Sequence, residues 1–220
     1  MKDRQKKRLV RSTRVVPSNA SLFGLLLILS TSLMLGACNT TSGAGVQADL
    51  ADPTDAAVWD ALKDGGKVVL FRHGEVQRGR GFGDSRLRDE TCARERNLSA
   101  AGREQFRRIG EAFAARNIRV DGVMASPFCR TRDSAEVAFG SFEPQEFLSL
   151  AEILTETEAQ DAAETALDLI GNHDGDGNLI LVTHNPNIDR IAQQTVGFAE
   201  ALVLKPEGGP FFSVIGVLQP

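Results

Sequence analysis

Lys67-Val68-Val69-Leu70-Phe71-Arg72-His73-Gly74-Glu75 passes from an apolar run into a polar turn within nine residues. Lys67 to Phe71 is a compact β-branched and apolar run, the signature of a strand buried on both faces. The run gives way to a cation, an imidazole and a glycine just where the strand ends. In open α/β sheets, ligands bind at the carboxyl ends of strands. Arg72 placed there can fork two N–H groups onto phosphate oxygens, and His73 can serve as a nucleophile. Gly74 lets the backbone pass close to a ligand. The plainer alternative is a histidine that merely caps the strand.

Two further strands end in the same way. Val120 to Ala125 runs into Ser126-Pro127-Phe128-Cys129-Arg130-Thr131. Ser126 or Pro127 can start the following helix, whose positive end favours anions, and Arg130 can complete a phosphate clamp. Leu179 to Thr183, the clearest buried strand, runs into His184-Asn185-Pro186, with Pro186 suited to a first helical turn. His184 at this strand end can donate to a phosphoryl oxygen. The chain has three histidines, and two of them end buried strands.

Around these motifs the pattern alternates. Helices are expected from Thr54 to Lys63, from a Ser99 cap to about Arg116, from Thr131 to Phe139 and from Thr155 to Ile170. Residues 74–97 read as a long loop, and Phe147 to Leu150 as a short strand. Ala201–Leu204 and Phe211–Leu218 flank a Pro/Gly-rich turn and read as a terminal antiparallel hairpin. Strands alternating with helices indicate an α/β layered domain with a mostly parallel sheet.

The N-terminus reads as an address. Seven Lys or Arg precede residue 15, followed by the apolar run Leu22–Leu29 and then Leu35-Gly36-Ala37-Cys38. The apolar run is short for a membrane span, and the layout is that of a secretory signal. The end resembles a bacterial lipobox, which implies that residues 1–37 are removed and Cys38 carries diacylglycerol. Asn39 then implies the outer rather than the inner membrane, with the domain on the periplasmic side of the envelope. Residues 38–53 are small and polar and read as a tether, leaving 54–220 as the domain. Without residues 1–37 the chain has 18 Lys and Arg against 28 Asp and Glu, a net charge of −10. Such an acidic body is a poor nucleic-acid binder, so a local cluster of Arg must receive any anionic substrate. No protein partner can be read.

Strand-RHG, strand-SPxxR and strand-H together resemble the histidine phosphatase superfamily, the phosphoglycerate mutase-like branch. Asn97-Leu98-Ser99-Ala100-Ala101-Gly102 and Ser134-Ala135 extend the likeness, which covers about Lys67 to Leu218. The resemblance implies a three-layer α/β/α fold with a mostly parallel mixed sheet. It also implies hydrolysis of a small phosphomonoester through a phosphohistidine at His73. Arg72, Arg130 and His184 would hold the phosphoryl oxygens, and Gly74, Ser126 and Asn185 would line the substrate. The cationic pocket supplies the charge a metal would, so neither metal nor cofactor is expected. Glu152, in Leu150-Ala151-Glu152, occupies the place of the family's proton donor; Glu75, Asp84 and Glu90 are rivals. Other readings are a phosphomutase, which export disfavours, and a non-catalytic phosphate- or glycan-binding lipoprotein.

If Cys38 carries lipid, Cys92 and Cys129 are an even pair in an oxidising compartment, and a disulfide between them is expected. The alternative is two free thiols. His173, in the Asp/Gly-rich turn 172–177, reads as a loop residue rather than a ligand.

Overall fold

The computed structural model describes residues 53–219. Cys38, the signal segment and the tether up to residue 52 lie outside the described residues. The elements run in the order α1 Pro53–Asp64, β1 Val68–Arg72, α2 Ala100–Ala115, β2 Val120–Ala125, α3 Cys129–Phe139 and β3 Glu143–Pro144. After two 3₁₀ turns, Glu146–Leu148 and Ala151–Ile153, come α4 Glu156–Gly171, β4 Asn178–Thr183, α5 Asn185–Ala192, β5 Ala201–Pro206 and β6 Phe212–Leu218. The six strands form one sheet in the order β3-β2-β4-β1-β5-β6. β1, β2, β3 and β4 pair in parallel, whereas β5 joins β1 and β6 joins β5 antiparallel.

Alternation along the strands makes the three layers. Val69 and Phe71, Ile180 and Val182, and Ala201 and Val203 face a core shared with α1, α2 and α3. Val68 and Leu70, Leu179 and Leu181, and Leu202 and Leu204 face the other core, shared with α4 and α5. Both faces are therefore apolar, which is why the central strands read as continuous hydrophobic runs. Phe71 sits on Phe106 at 5.6 Å between ring centroids, with Phe113 and Phe139 beyond it, so the last apolar residue before Arg72 is held by an aromatic cluster.

The helix starts follow their caps. Ser99 accepts from the Gly102 N–H, and Thr155 forms a capping box with Glu158. The expected strand Phe147–Leu150 is not a strand. Leu148 and Leu150 are buried, but the backbone is bonded by side chains: Thr183 Oγ1 donates to the Leu148 carbonyl and Asn187 Nδ2 to that of Ser149. Asn187 Oδ1 also accepts the Ala151 N–H, so no partner strand is needed and the segment curls into 3₁₀ turns. The strand that does lie beyond β2 is the two-residue β3, where Pro144 suits an edge position.

Candidate active site

β2, β4 and β1 are sheet neighbours and parallel, so their carboxyl ends open on one side. A cavity of about 210 Å³ there is lined by Arg72, His73, Arg96, Arg130, Glu152 and His184, with Val76, Ser85, Leu150, Asn185, Pro186 and Phe198 completing the wall. The structure thus brings together the five residues expected to be catalytic.

His73 is buried, and its backbone is held on both sides: its N–H donates to the Thr183 carbonyl at the end of β4 and its carbonyl accepts the N–H of Ala199, just before β5. Its Nδ1 lies 2.8 Å from the Gly74 carbonyl oxygen. A carbonyl only accepts, so Nδ1 carries the proton and Nε2 keeps its lone pair. Burial and the charges of Arg130 and Arg72 push the His73 pKa down to about 3, against the opposing pull of the Gly74 carbonyl. His73 is therefore a neutral imidazole with a free lone pair throughout the physiological pH range.

Arg72 is set by two contacts and keeps one donor free. Its Nη1 donates to the Val196 carbonyl at 2.8 Å, its guanidinium stacks on Phe198 at 3.9 Å from the ring centroid, and its Nε is buried without a partner. Asn185 lines the cavity, but its Oδ1 accepts the Val196 N–H. Asn185 thus acts on Arg72 through the segment that carries Val196.

Arg130 is 3% exposed. Its Nη2 donates to the Ser85 carbonyl at 3.0 Å and to His184 Nδ1 at 3.2 Å, while Nη1 is buried with no partner. Burial, helped by the charge of Arg96 and opposed by Glu95 and Glu152, lowers its pKa to about 10. It stays charged at neutral pH, a desolvated cation that an oxyanion would stabilise.

His184 is held from both sides. A guanidinium only donates, so Nδ1 accepts from Arg130 and Nε2–H donates to Ser126 Oγ at 2.8 Å. Burial, then the charges around it, hold its pKa well below the usual histidine value. The expected donation from His184 to a phosphoryl oxygen is not what this arrangement offers: His184 orients Arg130.

Two residues expected to touch substrate do not line the cavity. Ser126 is buried behind His184. Gly74 is pressed against α2, where an added Cβ would lie 2.6 Å from the Gly102 carbonyl oxygen, and a Cβ on Gly102 would collide with the Glu75 carbonyl. Each glycine is needed because backbone meets backbone, not because a ligand passes. The Gly74 N–H also donates to Ser134 Oγ, which donates to the Arg130 carbonyl, so one serine ties the two phosphate motifs together.

The start of α3 is not open to an anion either. Glu95, buried in the long loop, accepts the Cys129 N–H at 2.8 Å and the Asp89 N–H at 2.9 Å, filling the position expected for substrate. The helix begins at Cys129, with Phe128 as its cap residue rather than Ser126 or Pro127. Cys92 and Cys129 are joined in a disulfide with Cα atoms 5.8 Å apart. Glu152 pairs with Arg86 at 3.3 Å at the mouth. Glu75, Asp84 and Glu90 do not line the cavity. His173 lies elsewhere, donating from Nε2 to the Gly177 carbonyl.

Phe198, Arg96, Ser85 and Glu95 belong to the site and carry no motif. For Arg96, Ser85 and Glu95 the available signal was the charge density of the 76–97 loop; for Phe198 there was none.

Residues 68–156 match the model of the histidine phosphatase superfamily (branch 1), a stretch that holds His73, Arg130 and Glu152 but stops short of His184. No curated protein sequence matches the chain. Among solved structures, the protein histidine phosphatase SixA complexed with tungstate is 15% identical, with 70% of this chain and 97% of that one covered at a TM-score of 0.52. The open reading frame Rv3214 from Mycobacterium tuberculosis is 18% identical over 70% and 97%, also at 0.52. Bacillus stearothermophilus YhfR is 16% identical over 67% and 94%, at 0.50. At these identities the likeness is one of fold. Residues 68–156 are thus similar to the histidine phosphatase superfamily, and the sheet order and the solved structures give the chain an α/β fold of the phosphoglycerate mutase-like kind.

Proposed function

We propose that this domain is a phosphatase that hydrolyses a small phosphomonoester through a phosphohistidine at His73. The observation that carries the reading is the state of His73: neutral, its Nδ1–H donating to the Gly74 carbonyl, its Nε2 lone pair free, and lodged beside the guanidiniums of Arg72 and Arg130. Nε2 attacks phosphorus in line, the bond to the leaving oxygen breaks, and that oxygen takes a proton. Arg72 and Arg130 hold the phosphoryl oxygens and stabilise charge as it spreads over them. His184, neutral and accepting from Arg130 at Nδ1 with Nε2–H on Ser126, orients that guanidinium. Glu152, alone among the carboxylates considered from the sequence in lining the cavity, is assigned the proton of the leaving oxygen. In the second half it takes a proton from water, which attacks the phosphohistidine and frees phosphate. Support also comes from the SixA neighbour, a protein histidine phosphatase holding a tetrahedral oxyanion.

We place the activity in the cell envelope, on the periplasmic side, with Cys38 as the lipid anchor to the bilayer. That placement rests on the basic head, the apolar run and Leu35-Gly36-Ala37-Cys38.

Phosphate release from a panel of phosphomonoesters by the full-length protein tests the activity. The wild-type protein should turn over at least one of them, and His73→Ala should lose at least about 1,000-fold in kcat/KM while staying folded. A His73→Ala protein that keeps a tenth of wild-type activity would sink the mechanism.

A further inference from the structure

A second cavity, about 800 Å³ against about 210 Å³ for the active site, lies along the outer edge of β2. β3 covers only the carboxyl half of that edge, where Glu143 pairs with Met124 and Pro144 with Ala125. Beside Val120 to Val123 no strand lies on this side among the described residues, although β4 pairs with the other side. A strand edge without a neighbour offers backbone N–H and C=O groups to any chain that can lie along it. The side chains are unfinished as well. Every residue of β4 is buried, as are Val68 to Phe71 of β1, whereas Val120, Val123 and Met124 are half-buried. Phe139 and Phe142 on one face of the sheet and Leu169 on the other are half-buried too, and they complete an apolar floor.

The rim selects what can lie there. Asp121, Glu143 and Asp174 line the cavity, and no Lys or Arg does. None of the three carboxylates is ion-paired among the described residues. Asp121 is fixed by accepting the Gly177 N–H at 2.7 Å, which places it with Asp174 at the amino end of β2, while Glu143 stands toward the carboxyl end. A second copy laid edge to edge would set these carboxylates against their own kind. A chain with cationic ends would neutralise them.

We infer that the free edge of β2 docks an extended segment of a partner protein, apolar at its centre and basic at both ends, which adds to the sheet as a strand in line with β3. Main-chain hydrogen bonds to β2 hold it, its apolar side chains settle on the floor to either side of the edge, and its Lys or Arg meet the rim. About five residues, at roughly 3.3 Å each, span the free edge. The surface is separate from the cavity that holds His73, and the inference does not rest on the phosphatase reading.

Fluorescence anisotropy with the full-length protein and the labelled heptapeptide KKVFVKK tests this. Binding should be saturable. The acidic counterpart EEVFVEE should bind at least about tenfold more weakly, because like charges then face each other. KKVFVKK N-methylated at its three apolar residues should also lose at least about tenfold, since it keeps the side chains but cannot join a ladder. Glu143→Gln with Asp174→Asn should weaken KKVFVKK about fivefold or more while leaving the unfolding midpoint unchanged. In hydrogen exchange, at least one amide among residues 120–123 should slow about tenfold or more when KKVFVKK is present. No saturable binding, equal binding of EEVFVEE or of the methylated peptide, or protection confined to other elements overturns the inference. Protection of residues 120–123 that grows with protein concentration in the absence of peptide assigns the edge to a second copy and overturns it as well.

Discussion

His73 and His184 are both buried and both held neutral, and this couples acidity to folding. Burial, then Arg130 and Arg72, bring the His73 pKa down to about 3, and His184 is lowered in the same direction. In the unfolded chain each titrates near 6.5. Below that pH the unfolded chain binds protons that the folded one refuses, so stability is intact above about 6.5 and falls as the pH drops. Each pH unit below it costs up to about 1.4 kcal/mol per buried neutral histidine. Denaturant unfolding of the full-length protein should show a clear loss from pH 7.5 to 5.5, with a shallower loss in His73→Gln. Equal slopes in the two proteins would contradict the assignment. The four motif residues were legible in the sequence because each follows a strand end, where hydrophobic pattern and polar punctuation coincide. Arg96 and Glu95 were not, since their positions depend on how an irregular loop folds back. Phe198 was not either, because only the return of β5 beside β1 brings it under Arg72. The role given to Gly74 went astray for a related reason: a glycine shows that something comes close, not whether it is ligand or helix.

The 76–97 loop, devoid of helices and with only isolated bridges, is nonetheless pinned at several points. The Cys92–Cys129 disulfide and the Glu95 carboxylate tie it to the start of α3, and the Ser85 carbonyl holds Arg130. Arg86–Glu152 and Arg88–Glu146 reach the 3₁₀ turns across the mouth, though such exposed pairs add little stability. The disulfide closes a separation of 37 residues, which in the chain-entropy view stabilises the fold by about 4 kcal/mol. Cys92→Ser with Cys129→Ser should therefore unfold at a clearly lower denaturant concentration, and its KM should rise as Ser85 loosens from Arg130. An unchanged unfolding midpoint and KM would show that the bridge does neither. At this scale the long, strongly periodic elements were readable. The segment 146–153 was misread because side chains of β4 and α5, remote in sequence, take up its backbone groups.

Seen whole, the domain solves a charge problem. Its body is acidic, yet the carboxyl ends of three adjacent parallel strands, β2, β4 and β1, bring Arg130, His184, Arg72 and His73 into one cavity. Strand order does this, since motifs some 110 residues apart in the chain meet only when β1 inserts beside β4. Cys38→Ser in the full-length protein should abolish palmitate incorporation and leave the precursor uncleaved; incorporation that persists would count against the anchor. Trapping the intermediate shows whether phosphorus passes through His73. The full-length wild-type protein is mixed with a substrate it turns over, quenched in alkali within the first turnover, and the modified residue is located by mass spectrometry. One phosphoryl group is expected on His73, stable in alkali and lost in acid. Phosphate on a serine, threonine or cysteine, or turnover with His73 unmodified at every time point, would contradict it.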